Sequence, residues 1–106
     1  MKKLFEEIRA ALAHGENTVL CTVLASSGSA PRGAGARMAV FADGHASGTI
    51  GGGAVERIAA EQALELLRTG ENLLRTFRLS RNQVCDIGMI CGGDVTVYYQ
   101  ILKPEA

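Results

Sequence analysis

The 106-residue sequence has no tryptophan, only two prolines, two tyrosines and three phenylalanines, and no net charge, its 11 Lys and Arg balancing 11 Asp and Glu. That balance excludes the basic surplus with which a general nucleic-acid binder neutralises phosphates. No apolar run approaches the ~18 residues a membrane-crossing helix needs, the longest being Val19 to Ala25 with Thr22 inside it. Lys2 and Lys3 open the chain like a secretory leader, but Glu6, Glu7 and Arg9 interrupt the apolar stretch that should follow, so the expected location is the cytoplasm. Three cysteines, an odd number without framework spacing, read as free thiols. The length suits one domain with one core, and 47% hydrophobic against 21% charged residues excludes a disordered chain.

Glycine is what the sequence has in quantity. Of 13, eight fall between Gly28 and Gly53, and Gly88, Gly92 and Gly93 cluster again near the carboxyl end. Glycine weakens regular structure, so its concentration marks loops that need positive φ or close backbone approach.

Between those loops the periodicities are regular. Leu4, Phe5, Ile8, Ala11 and Leu12 recur at helical spacing and predict an amphipathic helix over Lys2 to Ala13, stopped at Gly15. Asn17 to Ser26 reads as a strand with Val19, Cys21, Val23 and Ala25 on one face, Leu20 and Leu24 on the other, and both faces covered. Arg37 to Ala42 and His45 to Ile50 flank Asp43-Gly44, the signature of a hairpin with a two-residue type I′ turn. A second helix follows the triple glycine, with Val55, Ile58, Ala59, Ala63, Leu66 and Leu67 as its apolar stripe up to Thr69-Gly70. Leu73 to Leu79 alternates as a strand, and Val95, Val97, Tyr99 and Ile101 define a last one before Pro104. The expected fold class is α+β, a mixed or antiparallel sheet of about five strands with two helices packed on it, and a βαβ crossover around the second helix.

Two loops carry the chemistry. Gly51-Gly52-Gly53 open a helix, whose first turn offers unpaired N–H groups and the positive end of the macrodipole, so the segment is either an anion site or a tight turn. It matches neither G-x-G-x-x-G nor a P-loop. Arg32 and Arg37, set among Gly33 and Gly35, are either phosphate forks or ordinary surface arginines. Glu56, in the first turn, either caps it or meets a ligand. Cys91 beside Gly92 and Gly93 is an accessible thiol open to activation, whereas Cys21 in mid-strand reads as a small buried hydrophobe. Cys85, Cys91, His14 and His45 lack the spacing of a closed zinc site. Glu61 and Glu65 read as a solvated helix face.

Ser29-Ala30-Pro31-Arg32-Gly33-Ala34-Gly35-Ala36-Arg37-Met38, Phe41-Ala42-Asp43-Gly44, Gly48-Thr49-Ile50-Gly51-Gly52-Gly53-Ala54-Val55-Glu56 and Gly88-Met89-Ile90-Cys91-Gly92-Gly93 together resemble the amino-terminal domain of the XdhC/CoxI family. Members of that family are maturation factors for molybdenum hydroxylases such as xanthine dehydrogenase and carbon monoxide dehydrogenase. The resemblance implies a carrier rather than an enzyme. Its cargo would be molybdenum cofactor, a pyranopterin dithiolene with a phosphate, protected and delivered to a hydroxylase apoenzyme. It also implies a homodimer, with a sulfur donor protein as a further partner, and no nucleic-acid or membrane partner.

On that resemblance, Gly51, Gly52, Gly53, Arg32 and Arg37 hold the cofactor phosphate. Glu56 bonds the pterin or orders the loop, and Cys91, flanked by Gly92 and Gly93, approaches molybdenum or its sulfur. The family commonly has cysteine after the triple glycine, where this chain has Ala54, so thiol chemistry at that position is missing and Cys91 acts alone. The expected organisation is a single domain over 1–106, with the carboxyl-terminal Rossmann-like domain of longer members absent. Two rival readings are a small thiol-dependent sulfur-transfer or redox enzyme using Cys91, and an interaction module without a ligand.

Overall fold

The computed structural model describes residues 2–28, 35–51, 53–79 and 93–104. Helix α1 spans Lys2–Ala13 as the apolar spacing predicts, with Leu4 and Ile8 buried and Glu6 and Arg9 in solvent. It ends in a Schellman motif: Gly15 takes φ +81°, Glu16 N donates to Ala11 O and Gly15 N to Leu12 O. A side chain at Gly15 would oppose that left-handed turn, which is why the helix stops there.

The strands are β1 (Thr18–Gly28), β2 (Arg37–Phe41), β3 (Ala46–Gly48), β4 (Leu73–Leu79) and β5 (Gly93–Leu102), and helix α2 (Gly53–Thr69) joins β3 to β4. They form one sheet in the order β3-β2-β1-β5-β4, every neighbouring pair antiparallel. The α+β expectation holds in its antiparallel form. The crossover is also there in altered form: β3 and β4 run in the same direction but lie at opposite edges, so α2 spans the whole sheet instead of linking neighbours.

Strand alternation sorts the core into two layers. Val19, Cys21, Val23, Met38, Val40, Val95, Val97 and Tyr99 face α2, where Val55, Ala59, Ala63 and Leu66 close over them. Leu20, Ala39 and Phe41 face α1 and meet Leu4 and Ile8. Cys21 is part of the first layer, and burial pushes its thiol up to about 12, so it is a packing residue and not a nucleophile.

Two local expectations are corrected. Leu24 is 50% exposed, because the register slips between Val23↔Val97 and Ala25↔Thr96 and leaves it as the extra residue of a β-bulge. The hairpin turn is not type I′. Gly44 N donates to Phe41 O, Phe41 N donates to His45 O, and only Gly44 has positive φ, +95°, so the loop is a type I turn closed by a glycine bulge. Asp43 accepts from the His45 amide and ring, and those bonds, the amide first, hold its carboxyl below the ordinary value. The His45 ring stacks on Phe41 with centroids 4.4 Å apart.

Candidate functional site

The glycine-bearing segments leave the sheet at one end. Gly93, the first residue of β5, is the register partner of Gly28, the last of β1, and also of Leu79, the last of β4. The described residues that border the two glycine-bearing segments, Gly28 and Gly93, therefore lie side by side. Gly48, the last residue of β3, lies at this end too, opposite Met38. The ends are staggered. Arg37 pairs with Thr22, and Thr22 pairs with Tyr98, so five further residues of β5 carry the ladder to Gly93, roughly 16 Å at the rise of a strand.

The triglycine corner is built from Thr49. Its amide donates to Arg37 O at 3.1 Å, its hydroxyl accepts from Gly51 N at 3.1 Å and donates to Glu56 Oε2 at 2.5 Å. Main chain of β2, corner and first turn of α2 are thereby tied through one residue, by its amide on one side and its hydroxyl on the other. Gly48 takes φ +81°, and a Cβ there would lie 2.5 Å from Arg37 O, so the close approach of the two strands requires glycine. Gly51 follows with φ +137°. Glu56 accepts from the Thr49 hydroxyl, and its carboxylate sits in the first turn of α2, where the helix dipole favours negative charge.

The site residues divide accordingly. Gly51, Gly53, Glu56 and the Arg37 main chain are brought together, while Gly93 lies at the same end on the longer arm of β1, β5 and β4. The Arg37 side chain does not join them. Residues 36, 38 and 40 face α2, so residue 37 points to the α1 face, where its guanidinium carbon is 5.9 Å from the centre of the Phe5 ring. Its Nε is buried there with no hydrogen-bond partner among the described residues. The Arg37 guanidinium and the first turns of α2 thus lie on opposite faces of the sheet. Arg32, Gly52, Cys91 and Gly92, with Cys85, lie outside the described residues.

Thr49 is the participant that sequence reasoning passed over. A capping box places its partners three residues apart; Thr49 and Glu56 are seven apart, and only the folded corner closes that distance. His14 and His45 line a cavity of about 290 Å³ with Glu7, Glu16 and Asp43, between the end of α1 and the β2–β3 turn. This is the opposite end of the sheet. Among the described residues no three His, Cys, Asp or Glu side chains are placed to hold a metal ion.

A family model described as the XdhC and CoxI family matches residues 11–78. The chain is 39% identical over 82 residues to the Escherichia coli protein YqeB, covering 77% of this chain and 15% of that protein. It is 39% identical over 94 residues to the Escherichia coli molybdenum cofactor insertion chaperone PaoD, covering 88% of this chain and 29% of that one. The fold is similar to that of a xanthine dehydrogenase chain crystallised from Bacillus halodurans, with a TM-score of 0.72 and 24% identity over 90% of this chain and 29% of that chain. The chain thus spans less than a third of the length of these relatives.

Proposed function

Because the chain belongs to the XdhC and CoxI family, we propose that it is a cytoplasmic maturation factor that binds molybdenum cofactor as cargo and assists its insertion into a hydroxylase of the xanthine dehydrogenase or carbon monoxide dehydrogenase type. It acts as a carrier, not an enzyme, and as a homodimer, with a sulfur donor protein as a second partner. The name of the similar chaperone PaoD supports the cargo. The pairing of Gly28 with Gly93 supports the structural side, since these two residues border segments distant in sequence and meet at one end of the sheet.

In this reading the amides of Gly51, Gly52 and Gly53 at the start of α2, with Arg32, receive the phosphate. Glu56 and Thr49 hold that corner in shape. Cys91, flanked by Gly92 and Gly93, supplies a soft sulfur to molybdenum or its sulfur ligand. Arg37 contributes its carbonyl to the corner, and its guanidinium would have to leave the Phe5 face to reach a ligand on the α2 side.

Protein purified without oxygen should carry molybdenum by elemental analysis and oxidised pterin by fluorescence, in equal amounts. Cys91→Ser should lose cofactor while keeping its far-UV dichroism. Protein that never retains pterin or molybdenum, even when mixed with released cofactor, overturns the cargo reading. Turnover of a sulfur donor by the protein alone would replace the carrier with an enzyme.

A further inference from the structure

Among the described residues the sheet has two edges, and they are unlike. Strand β3 is three residues long, bounded by a turn and by Gly48 in a left-handed conformation. Strand β4 has seven residues, LLRTFRL, paired with β5 along its whole length without a register shift. It contains no proline or bulge, two of the devices that usually blunt an edge, and its charged residues are Arg75 and Arg78. Leu74 on this strand is 60% exposed.

Which β4 groups are unpaired follows from alternation. Val23 directs its N–H to Ala36 O and its C=O to Gly35 N, on the β2 side of β1, so Thr22 and its partner Tyr98 bond each other across β1 and β5. Tyr99 and Val97 then turn toward β4. The bond from Ile101 N to Asn72 Oδ1 has the same sense. Leu73, Arg75 and Phe77, opposite Tyr99, Val97 and Val95, therefore spend their main-chain groups on β5, and Leu74, Thr76 and Arg78 present theirs at the free edge.

We propose that β4 pairs antiparallel with β4 of a second copy of this chain about a two-fold axis at Thr76, giving a continuous ten-stranded sheet. This rests on the homodimer reading above and names its surface. A two-fold axis normal to the sheet keeps each face on its own side, so odd positions oppose odd and even oppose even. Centred on Thr76, all seven residues find partners, and Leu74, Thr76 and Arg78 make about six main-chain hydrogen bonds. Leu73 opposes the partner's Leu79 and Leu74 the partner's Arg78. Arg75, which lies 4.7 Å from the centre of the Phe77 ring of its own strand, opposes the partner's Phe77.

Charge selects this register. A shift by one step to an axis at Arg75 would set the two guanidiniums directly opposite each other, and a shift to Phe77 would lose hydrogen bonds at the strand end. The acidic residues Glu61 and Glu65 of α2 line a cavity of about 320 Å³ together with Arg75. They supply negative charge next to the basic edge.

Sedimentation equilibrium at micromolar concentration should give twice the chain mass. Thr76→Pro removes an N–H that β5 does not use, and Thr76→Lys sets two ammonium groups face to face at the axis. Both should be monomeric with native far-UV dichroism, whereas Arg75→Pro should disrupt the chain's own β4–β5 ladder. In the wild-type dimer the amides of Leu74, Thr76 and Arg78 should be protected from hydrogen exchange, and the protection should fade on dilution. A monomeric wild-type chain overturns both the pairing and the homodimer reading. A dimer that survives Thr76→Pro and Thr76→Lys, or one whose three amides exchange freely, overturns the β4 pairing alone. A monomer whose amides become protected only with hydroxylase apoenzyme assigns the edge to that enzyme and also overturns self-pairing.

Discussion

The hydroxyl of Thr49 bridges Gly51 N and Glu56 Oε2, so one side chain joins the triglycine corner to the first turn of the helix that follows it. Its own amide is bonded to Arg37 O, which extends the tie into the sheet.

Removing that hydroxyl should break the two side-chain connections and leave the amide bond to Arg37 O in place. Thr49→Val is expected to destabilise the chain by about 1–2 kcal/mol, the order of losing a hydrogen bond to a charged group. Thr49→Ser should restore most of it. Urea denaturation midpoints for the three proteins check this. If the cargo reading is right, Thr49→Val should also retain less molybdenum per chain than Thr49→Ser.

Gly48 and Gly44 both have positive φ, yet they should respond differently to a methyl group. At Gly44 nothing lies within 4 Å of the added carbon, so Gly44→Ala should cost only the left-handed conformation, about 1 kcal/mol. At Gly48 the carbon would meet the Arg37 carbonyl at 2.5 Å. Backbone on both sides cannot yield cheaply, and the loss should exceed ~2 kcal/mol. Equal melting temperatures for the two variants would contradict the close approach.

Alkaline pH should weaken the core from within. Burial raises the Cys21 thiol from 9.0 to about 12, and burial first, then the neighbouring Cys21 charge, raises the Tyr99 phenol above its ordinary 10.0. The folded state holds both protons longer than the unfolded chain does. Stability is therefore complete below pH 9, and it is lost as pH rises through 9 to 12. The Tyr99 hydroxyl is buried with no hydrogen-bond partner among the described residues. Tyr99→Phe should therefore be neutral or stabilising by about 1 kcal/mol at pH 7 and should flatten the alkaline decline. Unfolding free energies measured at pH 7 and pH 10.5 separate the two effects.

Much of this architecture was legible residue by residue. Helix α1, strand β4 and the end of α2 are local matters of period and stop signal, which is why Leu4 and Ile8, the alternation of Leu73 to Leu79, and Gly70 at φ +75° agree with the pattern in the sequence. The turn type at Asp43-Gly44 was less legible, since the same dipeptide suits two loop lengths and the pairing of Phe41 with His45 selects between them. Leu24 was misplaced because a bulge is a property of the pair of strands.

The candidate site divides in the same way. Composition and spacing singled out glycines, arginines and Cys91 as candidates, because those residue types carry their chemistry wherever they lie. Only the tertiary structure decided where the described ones among them lie on the sheet. The parity of β2 sends Arg37 toward Phe5, and the register of β1 on β5 brings Gly93 to Gly28. Local pattern is set by interactions a few residues apart, whereas the facing of a strand and the partner of an edge are set by pairing between segments far apart in the chain.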